Sequence, residues 1–276
     1  MYIGCYDAPV RDLGNYRLRL EELACLGFRS VGLAINWAEH PADLEEDEKI
    51  AIDELVKAYS LEVRLHPDLA YVWRQAQAEK IDLLACARRE LEPIIEWGLQ
   101  LGAVSICCDS IRPLLKETVE VFKLMIQMTR GTALKFGVEN SQRGVINSPD
   151  RLNEAVERVG DPRMGVLIDT GHMNTTITNG WIPYSDSHEF LSALDVPIWD
   201  THLHNNSGET DGHLTVRAFE GTINIPALLQ CFHAIGYTGP LMFECKRGAR
   251  TFREIEGIIL EDKVYLEQLI QEMSAE

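Results

Sequence analysis

Short apolar runs rich in β-branched residues alternate with longer stretches of helical periodicity from one end of this chain to the other. That alternation limits the possible folds more than any other feature. The runs are "YIGCY" (2–6), "FRSVGLAI" (28–35), "LEVRLH" (61–66), "AVSICC" (103–108), "LKFGVE" (134–139), "RMGVLID" (163–169), "PIWDTHLH" (197–204) and "GPLMFE" (239–244). Between them, stretches such as "NYRLRLEELACLG", "DEKIAIDELVKAYS", "VEVFKLMIQMTRG" and "IPALLQCFHAIG" place apolar residues at helical spacing. The first, third and last of these end at Gly, a common helix stop. Eight strands, each followed by a helix, in a chain of 276 residues match the count and length of a (β/α)8 TIM barrel. The rival is a doubly wound open sheet. No G-x-G-x-x-G or G-x-x-x-x-G-K-[ST] follows any run, so the nucleotide-binding forms of that rival find no support. No Gly/Ser/Pro-rich linker divides the chain, and the expectation is a single α/β barrel domain over residues 1–276.

The formal net charge is −17, from 26 basic and 43 acidic residues. A protein that grips a nucleic-acid backbone needs clustered Lys and Arg to replace its counterions, and only short basic groups such as "KRGAR" (246–250) occur here. Nucleic acid and anionic membranes are therefore not expected as partners. No apolar stretch reaches the length of a membrane span, and the N-terminal residues lack the pattern of a signal peptide. The seven cysteines lie mostly inside apolar runs, with Cys107 and Cys108 adjacent. Reduced thiols and a cytoplasmic location follow as expectations; oligomeric state is open.

In a barrel the catalytic groups sit at the C-terminal ends of the strands, around one mouth. The third run ends in His66, the fourth in Cys107 and Cys108, and the fifth in Glu139. The sixth ends in Asp169, with His172 three residues on. The seventh carries His202 and His204, with Asp211 and His213 in "THLHNNSGETDGHL" (201–214), and the eighth ends in Glu244. Each alone reads most simply as a cap or a turn residue. Their convergence follows from a barrel inferred without them. His40, His188 and His233 have no such partners and read as surface or packing residues. Carboxylates gathered at a buried point repel unless a cation holds them ionised. Three carboxylates and an imidazole suit Mn²⁺, Mg²⁺ or a carboxylate-rich Zn²⁺ site. His202 and His204 share a strand face, and spacing does not choose between them.

The motifs "GVEN" (137–140), "LIDTGHMN" (167–174), "THLHNN" (201–206), "DGHL" (211–214) and "FECK" (243–246) resemble those of the xylose-isomerase-like TIM-barrel superfamily. That superfamily holds sugar and sugar-phosphate isomerases and epimerases, and the endonuclease IV type of abasic-site nuclease. The resemblance implies one divalent metal held by Glu139, Asp169, His202 and Glu244, with the first His of the pair as ligand. It also implies a substrate-binding or second-metal role for His172, with Asp211 and His213 matching the nuclease pair that completes a further metal and His66 matching a nuclease ligand. The departure is "SICCDS" at the fourth run, where the nuclease pattern has a histidine. A full nuclease site would need Cys107 or Cys108 in its place.

The reading reached is an enzyme that isomerises or epimerises a small sugar, polyol or keto-acid through an enediolate. Glu139 and Glu244 would be its acid and base, and a divalent metal would polarise the carbonyl. Arg143, Arg217 and Lys246 are candidates for substrate oxygens, and "NTTITNGWIPY" (174–184) is a candidate lid with Trp181 over the sugar. The alternatives are a metal-dependent phosphodiesterase of the abasic-site nuclease kind, a polyol dehydratase, and a barrel that binds without turnover. One metal per chain would favour the epimerase class, and two or three the hydrolase class.

Overall fold

The computed structural model describes residues 1–35, 39–111, 114–246 and 250–275. In chain order the elements are β1 (Tyr2–Tyr6), α1 (Tyr16–Cys25), β2 (Ser30–Ile35), α2 (Glu46–Tyr59), β3 (Glu62–Pro67), α3 (Leu69–Glu79) and α4 (Leu83–Gln100). They continue with β4 (Ser105–Cys108), α5 (Leu115–Met128), β5 (Lys135–Glu139), α6 (Pro149–Val159), β6 (Met164–Asp169), α7 (Thr170–Thr178) and α8 (Ser187–Ser192). The last are β7 (Ile198–His202), α9 (Ile225–Ala234), β8 (Pro240–Phe243) and α10 (Phe252–Ala275). The glycines expected to stop helices do so: Gly27, Gly131 and Gly236 follow α1, α5 and α9 with φ of 78°, 86° and 74°, where a Cβ is disfavoured.

The eight strands form one sheet in the order β7-β6-β5-β4-β3-β2-β1-β8, and every pairing is parallel. The ring closes just past β7, where Leu203 bridges Phe243 and its N–H donates to the Met242 carbonyl at 2.7 Å. The result is the expected (β/α)8 barrel. Outward-facing Val, Ile and Leu pack against the helices in a continuous core.

The barrel interior is unusually polar. Arg64 on β3 is buried there and bonds to Glu62 (2.5 Å), Ser30, Ser105 and the Trp199 carbonyl, with Asp200 at 3.6 Å. Tyr6 donates to Asp200 at 2.9 Å. Gly32 makes room for it, because a Cβ there would stand 2.3 Å from the Tyr6 ring. A buried ion pair of this kind contributes little net stability, but removing one partner strands a charge. Below this floor, at the N-terminal end of the barrel, lies a cavity of about 980 Å³ lined in part by Tyr2, Glu62, Lys135 and Trp199. It is at the end opposite the strand-end histidines. Among the described residues, no helix is long and apolar enough to cross a membrane.

Candidate metal centre

Four adjacent strands deliver the central group. Glu139 ends β5, Asp169 ends β6, His202 ends β7 and Glu244 follows β8. The His202 Nδ1 atom stands 3.3 Å from Glu139 Oε1, 3.5 Å from Asp169 Oδ2 and 3.2 Å from Glu244 Oε2. Yet neither ring nitrogen of this buried histidine makes a hydrogen bond. Asp169, His202 and Glu244 could hold a metal ion together, and Glu139 faces the same His202 nitrogen; a buried nitrogen left without a partner is costly, and a cation among these donors would offset it. The residues fit a divalent metal with mainly oxygen donors.

The surroundings fix each donor. Asp169 caps α7, accepting from the His172 N–H at 2.6 Å, and its own N–H donates to Asn140 Oδ1 at 2.7 Å. Tyr6 stands edge-on to the His202 ring, centroids 4.7 Å apart. Burial would raise the Glu139 carboxyl, but the imidazoles of His202, His172 and His66 outweigh it and hold it well below the usual range. Asp169 is held low in the same way, against its burial, by His172 and His204. Both carboxylates stay ionised at neutral pH.

A second cluster adjoins the first. His172 Nε2 lies 3.3 Å from Asp211 Oδ2, and His213 Nε2 lies 3.0 Å from the same oxygen. His204, which spacing could not separate from His202, is fully buried with Nε2 3.1 and 3.2 Å from the two Asp169 oxygens. His66 reaches Glu139 Oε2 at 3.0 Å. His40 is a packing residue: its Nδ1 accepts from the Ala42 N–H and its Nε2 meets the Glu90 carbonyl. His188 and His233 are exposed on helices away from the mouth.

Several expectations need correction. Neither cysteine replaces the fourth-strand histidine. Cys108 packs in the core shared with the helices, while Cys107 points inward one layer below Glu139, opposite Gly137. Burial pushes both thiols well above their ordinary range, and no sulfur joins a metal-type cluster among the described residues. Arg217 pairs with Asp262 and Glu261 of α10 at 2.8 Å each. The candidate lid is only partly a loop: Asn174–Thr178 belong to α7, residues 179–184 follow it outside any helix or strand, and Ile182 is buried. Trp181 is exposed, with the Arg143 guanidinium 5.0 Å from its ring centroid. Lys246 is exposed two residues past Glu244, and residues 247–249 of the basic stretch lie outside the described residues.

The group that sequence reasoning missed at the fourth strand is Asp109. It follows the cysteines, accepts from the Leu69 N–H at 3.1 Å, and is pushed up to about 7 by burial and by Asp68. A carboxyl raised above its unfolded value of about 3.9 favours the folded state below that value, and the benefit is lost as pH rises through about 7. Asp109→Asn keeps the acceptor and removes the charge. It is expected to gain on the order of 1–3 kcal/mol over the parent by pH 8, and nothing near pH 4. Urea unfolding at both pH values checks this; a pH-independent difference would contradict it.

Structural comparison finds the same fold in several solved proteins. A D-tagatose 3-epimerase-like protein is 20% identical with a TM-score of 0.77, covering 100% of this chain and 99% of its own. A family 2 AP endonuclease from Brucella melitensis is 14% identical with a TM-score of 0.67, covering 92% and 96%. An IOLI protein with a bound zinc atom is 14% identical with a TM-score of 0.69, covering 99% of each. At these identities the likeness establishes the fold alone. No curated protein matches the sequence. The xylose isomerase-like TIM barrel family model, however, matches residues 20–268, and with the strand-end motifs and the barrel both in place, this chain belongs to that family of enzymes.

Proposed function

We propose that the chain is a metal-dependent isomerase or epimerase of a small sugar, polyol or keto-acid. The observation that carries this reading is the placement of two glutamates about one imidazole. Glu139 Oε1 and Glu244 Oε2 flank His202 Nδ1 at 3.3 and 3.2 Å, from strands with β6 and β7 between them. A carbonyl compound held between them would present the two faces of its α-carbon to two different carboxylates. One glutamate removes the α-proton to give an enediolate, and the other returns a proton to the opposite face or to the adjacent carbon. Glu139 is ionised and can accept a proton. A divalent cation, when bound by Glu139, Asp169, His202 and Glu244, supplies Lewis-acid polarisation of the carbonyl. Arg143 and Trp181, at the rim, would meet the substrate's far end. The D-tagatose 3-epimerase-like neighbour agrees with a sugar substrate.

The test is deuterium exchange from D₂O into a panel of ketoses and keto-acids. Incorporation at the carbon next to the carbonyl is expected for at least one of them, and it should vanish in Glu139→Gln. Loss of water from a polyol without prior exchange would move the reading to a dehydratase.

The His172, Asp211 and His213 group favours one other reading, a phosphodiesterase like the AP endonuclease neighbour. A chain of net charge −17 with a carboxylate-lined mouth repels a phosphate backbone at long range. No binding to duplex DNA, abasic or intact, is expected at physiological salt, and no strand cleavage with added Zn²⁺, Mn²⁺ or Mg²⁺. Metal-dependent nicking of an abasic duplex, abolished in His213→Ala, would replace the isomerase reading with the hydrolase.

A further inference from the structure

The carboxylate of an aspartate turns easily about its last bond. A ligating carboxylate is therefore held by hydrogen bonds of its own. Asp169 has one such bond from the backbone, the His172 N–H at 2.6 Å from Oδ1. One bond to one oxygen leaves the plane of the group free to swing.

His204 supplies the second hold. Its Nε2 lies 3.1 Å from Oδ1 and 3.2 Å from Oδ2 of Asp169, so it spans the carboxylate and fixes its plane. Asp169 is held ionised, and a carboxylate then only accepts, so Nε2 donates. The Asp211 carboxylate is farther away, at 3.7 Å. Asp169 Oδ2 meanwhile faces the first pocket, 3.5 Å from His202 Nδ1. The His204 ring is itself immobile. It is fully buried, and a Cβ on Gly171 would stand 1.9 Å from its Cε1 atom. It stacks on His213 with centroids 4.0 Å apart and planes within 12°. Its backbone is tied to the residue after Asp169: the Thr170 hydroxyl lies 3.1 Å from the His204 carbonyl and 3.3 Å from the His204 backbone nitrogen.

We propose that His204 is a positioning residue for the metal centre. It touches neither cation nor substrate, and it fixes the Asp169 carboxylate with one oxygen toward the first pocket. Gly171 is the gap in α7 that admits the ring. This rests on the reading of Glu139, Asp169, His202 and Glu244 as a cation pocket, and the test separates the two.

Metal-free protein is titrated with Mn²⁺, and the free ion is counted by electron paramagnetic resonance. The site that a His202→Ala variant lacks is the first pocket. His204→Leu removes the donor and keeps a buried side chain; affinity at that site should fall roughly 10–100-fold. His204→Gln places an amide NH₂ near the position of Nε2 and should recover most of the loss. Gly171→Ala removes no hydrogen-bonding group, and alanine is the better helix former. By displacing the ring it should nevertheless weaken the site as His204→Leu does, and it carries the same comparison if His204→Leu does not fold. Melts in chelator show which variants are folded. If folded His204→Leu or Gly171→Ala binds Mn²⁺ as tightly as the parent, Asp169 needs no such partner and the proposal fails. If His204→Gln binds as poorly as His204→Leu, the ring acts by packing alone, and the hydrogen-bond role is overturned. A parent with no His202-dependent uptake overturns the pocket itself, and this inference with it.

Discussion

Glu139→Gln, assayed at matched metal content, is expected to lose about 10²–10⁴ in kcat, or roughly 3–5 kcal/mol of transition-state stabilisation, with little change in substrate Kd. Glutamine keeps the length of the side chain and one oxygen donor, so shape and much of the cation pocket survive. It cannot accept a proton at neutral pH. Glu139 is the more exacting case, because His66 grips Oε2 at 3.0 Å while Oε1 faces His202, and the amide must satisfy both with one oxygen and one NH₂. Glu244→Gln should lose a comparable factor, and the two losses should not add if the glutamates serve one exchange. A variant that is fully metal-loaded and still turns over at near the parental rate does not lack an acid or base. That result would remove the residue concerned from the mechanism.

The barrel was legible because its strands are written in apolar runs, which report burial on both faces. β5 and β6 end within the predicted runs, on Glu139 and Asp169 themselves. Convergence of the strand-end donors then followed from topology alone. What was not legible depends on which way single side chains point. Cys107 and Cys108 look equivalent in "SICC", but alternation sends one into the barrel and the other into the helix layer, leaving Asp109 as the next mouth-level group. Arg217 is three residues from the Leu214 that pairs with Asn205, and only the approach of α10 reveals that Asp262 and Glu261 claim it. His204 had a signal that went unused. The glycine at 171 marks a close approach to the start of α7, and the ring beside it is the one that approaches.

Removal of single donors should empty the first pocket without unfolding the barrel. His202→Ala is the cleaner case, since its ring contributes to no cap and makes no hydrogen bond. Asp169→Ala also removes the α7 cap, at a cost of about 1 kcal/mol, and Asp169→Asn keeps that cap acceptor while giving up the charge. The parent at a metal concentration of about 1,000 Kd should be stabilised by roughly 4 kcal/mol, which for a chain of this size raises Tm on the order of 10 °C. Chelator should reverse the shift. His202→Ala and Asp169→Ala are expected to contain about one cation fewer per chain than the parent and to lose most of the metal-dependent Tm shift. The metal-free Tm of Asp169→Ala should stay close to that of the metal-free parent, because losing this member relieves carboxylate crowding as well as removing contacts, whereas His202→Ala takes an imidazole from among three carboxylates and should melt somewhat lower. Elemental analysis of the purified proteins, paired with melts in metal and in chelator, distinguishes loss of the pocket from loss of the fold. If both variants kept the parental metal content, the cation would be held by other residues, and the placement of Glu139 and Glu244 about it would lose its meaning.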